Sequence, residues 1–142
     1  MKSFTPYTHT VSYYETDKMG VVHHSNYIRW FEDARLHFLE CAGYPYTEME
    51  SDGIMIPVHS VTCSYKNAVR FGDTIKINLK IASFNGFRFK IEYTVTAADT
   101  DELRAVGSSE HFFTDMSLKP VRTEKKYPKI FEVFAEYIGK DL

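Results

Sequence analysis

The chain has 142 residues, a formal net charge of −2 from 17 basic and 19 acidic side chains, and 44% hydrophobic residues. That length gives one domain, residues 1–142, able to bury roughly 68–70% of its unfolded surface, and the composition excludes a disordered or collagen-like chain. Neither charge sign forms a long run, so nucleic acid is not an expected partner. Cys41 and Cys63 lie in apolar stretches without C-x-x-C spacing, which fits reduced, structural thiols in a cytoplasmic protein. The first ten residues, MKSFTPYTHT, lack an apolar leader core, and no run of 18 apolar residues follows, so no membrane span is expected.

Mixed β-branched and aromatic residues from Thr8 to Tyr14 predict a first strand. Ser25 and Asn26 are good N-caps, and after them apolar residues recur at Tyr27, Trp30, Phe31, Ala34, Phe38, Cys41 and Ala42, which predicts a helix over about 26–42 with one broad apolar face. Trp30 and Phe31 read as core at that spacing. Arg29 with Asp33, and Asp33 with His37, sit at i,i+4 on the other face. Gly43 supplies the stop and Pro45 prevents continuation. The stretch IMIPVHSVTCSYK, residues 54–66, reads as a strand. Then TIKINLKIASF sets Ile75, Ile77, Leu79 and Ile81 against Lys76, Asn78 and Lys80, a clean period of two. Asn85-Gly86 signals a hairpin turn, answered by Phe87, Phe89, Ile91, Tyr93 and Val95 on one face. A turn at 98–102 leads to a strand over about 103–114, and Pro128 opens a short helix carrying Ile130, Phe131, Phe134, Tyr137 and Ile138 on one side. Short turns between consecutive strands imply an antiparallel sheet, and one long helix with an oily face implies that the sheet curls around it, an α+β arrangement.

The chemistry concentrates in residues 15–27, ETDKMGVVHHSNY. Asp17 follows a strand in a turn containing Gly20, and a helix N-terminus comes some eight residues later. The first turn of a helix has unpaired N–H donors and a partial positive charge, which suit an oxygen that becomes negative during reaction. A carboxylate facing such donors is an arrangement for attack on a carbonyl, and a thioester suits it because a thiolate leaves without a strong acid. The same residues are also ordinary material for a turn and a cap.

TDKMGVVHHSNY, followed by WFEDAR and later by SYKNAVRFGD, resembles the signature of hot-dog-fold acyl-CoA thioesterases of the 4-hydroxybenzoyl-CoA thioesterase type, and the likeness covers essentially the whole chain. The resemblance implies a sheet wrapped around one central helix and hydrolysis of acyl-CoA to free acid and CoA, without a cofactor. It assigns the nucleophile or general base to Asp17 and the carbonyl-polarising amide to His24, with Gly20, Val22, Asn26 and Tyr27 beside the substrate. Where the family often has an aromatic residue, this chain has His23, and Met19 replaces a commonly smaller one. The resemblance further implies a homodimer, with a dimer of dimers beyond it. In the dimer the strand near 54–66 pairs with its own copy, bringing Pro57 and His59 close to Asp17 of the partner. Arg88 and Lys90 beyond the Asn85-Gly86 turn, and Lys66 and Arg70 at another, offer charge for CoA phosphates, and Arg88 is the chosen candidate. Each also reads as an ordinary solvated surface charge.

Rival readings are weaker. Neighbouring side chains on an extended segment point to opposite faces, so His23 and His24 are not expected to share a metal ion, and no H-x-x-x-H or H-E-x-x-H spacing occurs. VGSSE lacks the G-x-S-x-G elbow of a serine hydrolase. Hydratases and dehydratases of acyl thioesters share the fold, but the D-x-N-P-x-H pattern of one such group is absent. A non-catalytic acyl-CoA-binding protein remains the other alternative.

Overall fold

A computed structural model describes residues 4–142; Met1, Lys2 and Ser3, the start of the segment read for a leader, lie outside the described residues. Five strands form one antiparallel sheet: β1 (Tyr7–Thr10), β2 (Val58–Tyr65), β3 (Thr74–Phe84), β4 (Arg88–Ala97) and β5 (Leu103–Phe112), in the order β1-β3-β4-β5-β2. Helix α1 (Ser25–Cys41) packs on the sheet, joined by the shorter α2 (Tyr46–Ser51), α3 (Thr123–Lys126) and α4 (Pro128–Tyr137). The inward rows follow the expected alternation. Ile75, Ile77, Leu79 and Ile81 of β3 and Phe89, Ile91, Tyr93 and Val95 of β4 are all buried, while Asn85 Oδ1 closes the intervening turn by accepting the Phe87 and Arg88 N–H groups.

Helix α1 buries Tyr27, Trp30, Phe31, Ala34 and Phe38, one stripe at i, i+3, i+4 spacing. Phe31 stacks on Tyr93 with ring centroids 4.2 Å apart. Gly43, at φ +82°, ends the helix in a Schellman turn, with Gly43 N–H donating to Glu40 O and Tyr44 N–H to Leu39 O. Phe134 of α4 closes the other end of the core against Phe89 and Phe113. Cys41 and Cys63 are both free.

Several local expectations are corrected. The first strand stops at Thr10, and Tyr13–Glu15 form a 3-10 turn that leaves Tyr13 and Tyr14 exposed. Pro45 does not merely prevent continuation: it stands at the N-cap of α2, a helix whose single turn and a half is too short to show a period. Asp33 accepts the Tyr7 hydroxyl and His37 Nε2 meets Thr5 O, so the polar face of α1 is tied to β1 and the residues before it rather than laced along itself. Ile138 falls just beyond α4 and is exposed.

A polar chain crosses this apolar interior. Arg35 of α1 donates to the Tyr93 hydroxyl, which meets Ser109 Oγ at 2.6 Å, and Ser109 Oγ meets His111 Nε2 at 2.7 Å. His111 is 1% exposed and its ring stacks on Phe89. Its Nδ1 has no hydrogen-bond partner among the described residues, and the nearby Ile56 and Pro57 carbonyls favour its charged form only partly. Burial, reinforced by the Arg35 charge, pushes the imidazole down to about 4. The unfolded chain protonates this histidine near 6.5, so acid favours unfolding and the stability present above that pH is lost as the pH falls toward 4. Urea unfolding should show a loss of about 2 kcal/mol between neutral pH and about pH 5 from this group. His111→Gln should remove that part of the slope, and an unchanged slope in the variant would contradict the assignment.

Candidate active site

The loop between the 3-10 turn and α1 folds back on itself. Thr16 and Val22 form an isolated antiparallel bridge, Asp17 N–H donates to Val21 O, and Gly20 N–H donates to Asp17 O. Gly20 adopts φ +77°, a conformation that disfavours any side chain, and the Arg70 guanidinium lies against its carbonyl at 3.4 Å. Asp17 Oδ1 accepts the Met19 N–H at 2.8 Å, an Asx-turn that fixes one carboxylate oxygen.

The head of α1 differs from expectation. His24, not Ser25 or Asn26, is the N-cap, and Ser25 is already helical. The capping is done by the residue before: His23 Nδ1 accepts the Ser25 N–H at 3.2 Å and meets Ser25 Oγ at 2.8 Å. Because His24 has helical rather than extended backbone angles, the His23 and His24 rings lie side by side, with centroids 4.1 Å apart, instead of on opposite faces. Asn26 is buried and turns its amide back to donate to Glu15 O and His23 O. Among the described residues the N–H groups of Ser25, Asn26 and Tyr27 all have acceptors, while that of His24 donates to none. It is the open donor of this helix terminus.

Asp17, Met19, Val22, His24 and Tyr27 line one cleft of about 310 Å³, completed by Tyr65, Lys66 and residues 67–69. Tyr27 packs edge-on to Tyr65, whose hydroxyl donates to His24 O. Burial pushes both phenols up to about 12, so they are neutral donors at the wall of the cleft. Gly20 and Asn26 do not line it; the first shapes its loop and the second lies behind it. His59 and Arg88 line a different cleft of about 280 Å³ with Lys90 and Glu110, and Pro57 lies near His111. Within one chain they lie toward the Val58 end of β2, whereas the Asp17 cleft is at its Tyr65 end, and the strand spans roughly 24 Å at about 3.4 Å per step. Among the described residues no cluster of three or more His, Cys, Asp or Glu side chains is placed to hold a metal ion.

One residue of the quoted stretch escaped sequence reasoning. Glu15 is only 5% exposed, and its carboxylate receives Ser12 N–H at 2.8 Å, Trp30 Nε1 at 2.8 Å and His9 Nε2 at 2.7 Å. Burial opposes its charge, but the Ser12, His9 and Trp30 hydrogen bonds outweigh burial and hold the carboxyl below its usual range. The only signal in the sequence was a glutamate three residues after a serine, which reads as a capping box.

A model of the thioesterase-like superfamily matches residues 11–136. YneP of Bacillus subtilis (strain 168), provisionally named an acyl-CoA thioesterase, is 34% identical over 119 residues, covering 83% of this chain and 86% of YneP. The DHNA-CoA thioesterase of Staphylococcus aureus superposes with a TM-score of 0.87 at 30% identity, over 92% of this chain and 87% of that one. The gentisyl-coenzyme A thioesterase BH1999 does so with a TM-score of 0.78 at 25% identity, over 91% and 98%. No helix among the described residues is long and apolar enough to cross a membrane. By the extent of these matches, and by a sheet curled around one long helix, the chain belongs to the thioesterase-like superfamily and has its hot-dog fold.

Proposed function

We propose that this protein hydrolyses acyl-CoA thioesters to the free acid and coenzyme A, with Asp17 as the reacting carboxylate and the His24 N–H as the oxyanion donor. The observation that carries this reading is that Asp17 and His24 line one cleft at the head of α1, and that the His24 N–H has no acceptor among the described residues. The names of the relatives, a provisionally named acyl-CoA thioesterase, a DHNA-CoA thioesterase and a gentisyl-coenzyme A thioesterase, support the thioester bond as the target. With the thioester carbonyl seated on the His24 N–H, Asp17 either attacks the carbon directly or takes the proton from an attacking water. The C–S bond breaks, a C–O bond forms, and the sulfur leaves as thiolate. Direct attack leaves a mixed anhydride that a water then cleaves. The helix terminus stabilises the charge on the oxygen in either route.

The active unit is a two-fold dimer. Among the described residues the outer edge of β2 is unpaired, whereas the other side of the sheet is covered by β1 and, at Leu79 and Ile81 of β3, by hydrogen bonds to Leu142 and Gly139. An open edge of eight residues invites pairing. Antiparallel pairing of β2 with its own copy about Val61 and Thr62 sets the Val58 end of one chain, with Pro57 and His59, against the Tyr65 end of the other, beside its Asp17 cleft. Arg88, at the same end of the sheet as Val58, then serves the CoA phosphates from the partner side.

Asp17→Asn keeps the shape and the Met19 contact while removing the base, so kcat for acyl-CoA should fall on the order of 10²-fold or more with little change in thermal stability. Free-thiol release from a panel of aliphatic, benzoyl and phenylacetyl CoA esters measures this, and an Asn variant with undiminished kcat would remove Asp17 from the reaction. Light scattering on the same preparation should give a dimer or a multiple of it. A monomer with full turnover would contradict the shared site.

A further inference from the structure

Glu15 is a buried carboxylate that the proposed reaction does not use. Leaving water is costly for a charge unless it is paired and hydrogen-bonded, and here the three donors come from three places in the fold: His9 of β1, Ser12 at the N-cap of the 3-10 turn and Trp30 of α1. Trp30 is itself only 1% exposed, so its indole N–H has no solvent to turn to if the carboxylate moves. The main chain of the same residue does a second job. Glu15 O accepts the His23 N–H at 2.8 Å and the Asn26 side-chain amide at 2.9 Å. Asp17 leaves this junction two residues on, the loop returns to it at His23, and His24 is the next residue. The two ends of the Asp17 loop and the first turn of α1 are therefore joined at one residue.

We propose that Glu15 is the positioning residue of the active site: its carboxylate and its carbonyl together fix the Asp17 loop on the N-terminus of α1, so that Asp17 and the His24 N–H keep one spacing. The inference rests on the assignment of Asp17 and the His24 N–H to thioester hydrolysis. A bond-forming distance tolerates little error, and a displacement of about 1 Å can lower a rate by as much as 10²-fold. Substrate binding, spread over Tyr27, Tyr65 and the outer charges, depends far less on that one distance. A carboxylate that merely stabilised the fold would lower thermal stability and leave kcat per folded molecule unchanged.

The test uses Glu15→Gln, which is isosteric but turns an amide NH₂ toward one of the three donors, and Trp30→Phe, which removes the indole N–H together with part of the ring volume while keeping an aromatic ring in the core. With the fastest acyl-CoA of the panel, Glu15→Gln should lower kcat by about 10-fold to 10²-fold with KM within about twofold, and Trp30→Phe should lower kcat less, in the same direction. In an Asp17→Asn background, Glu15→Gln should still lower the melting temperature but add little further loss of kcat, because the group it positions is gone. Wild-type kcat in Glu15→Gln beside a crippled Asp17→Asn would overturn the positioning role alone. Losses that multiply in the double variant would do the same, since Glu15 would then act independently of Asp17. Wild-type kcat in Asp17→Asn would instead overturn the underlying assignment. If Glu15→Gln does not fold, an undiminished kcat in Trp30→Phe overturns the proposal, and a reduced kcat at unchanged KM supports it.

Discussion

Helix α1 can lie as close to the sheet as it does because residue 107 has no side chain. A methyl group there would sit 2.5 Å from the Phe31 ring and 2.6 Å from Thr62 O, closer than atoms pack, so the contact admits glycine alone. With Gly107 in place the Phe31 ring fits between helix and sheet, flat on Tyr93, and β5 carries β2 alongside through its pairing with Thr62 and Cys63. That single close approach sets the depth of α1 in the curl. The stripe from Tyr27 to Phe38 then fixes its rotation, and the two together leave the head of the helix, with His24, at the Tyr65 end of β2.

The architecture was legible wherever one face of an element is buried over several turns or pleats. The period of two in Ile75 to Ile81 and the 3.6-residue recurrence from Tyr27 to Phe38 are direct imprints of burial, and both agree with the structure. Helices α2 and α3, with six and four residues, are shorter than the window in which a period can be seen. The head of α1 misled for a different reason. Cap preference belongs to residue types, and Ser25 and Asn26 both have it, yet the Asn26 amide finds better acceptors in Glu15 O and His23 O and the cap passes to His23 Nδ1. Those partners are brought together by the fold, and no local pattern names them. Glu15 was legible only as half of a capping box with Ser12; that Trp30 and His9 close over its carboxylate is a product of the fold.

The candidate site shows a division of labour that follows from its materials. The groups proposed to react are held by backbone: Asp17 by an Asx-turn, and the His24 amide by its place at the N-cap of α1. Such groups lose little entropy on binding substrate, which is the physical meaning of preorganisation. The charges proposed for the carrier, Arg88, Lys90 and Lys66, are long side chains, suited to a flexible and highly charged ligand. The acyl group would meet Tyr27, Met19 and Val22, and Met19 is exposed and unbranched, able to adapt to acyl groups of different shape.

In the proposed complex a thioester carbonyl sits on the His24 amide facing Asp17. A crystal structure of the Asp17→Asn variant with a bound acyl-CoA measures this directly. The carbonyl oxygen should lie within about 2.7–3.1 Å of the His24 nitrogen, with the residue-17 side chain approaching the carbonyl carbon and the CoA leading away toward the partner's Arg88. An acyl-CoA whose carbonyl lies away from the head of α1, with the His24 N–H turned to another acceptor, would contradict it.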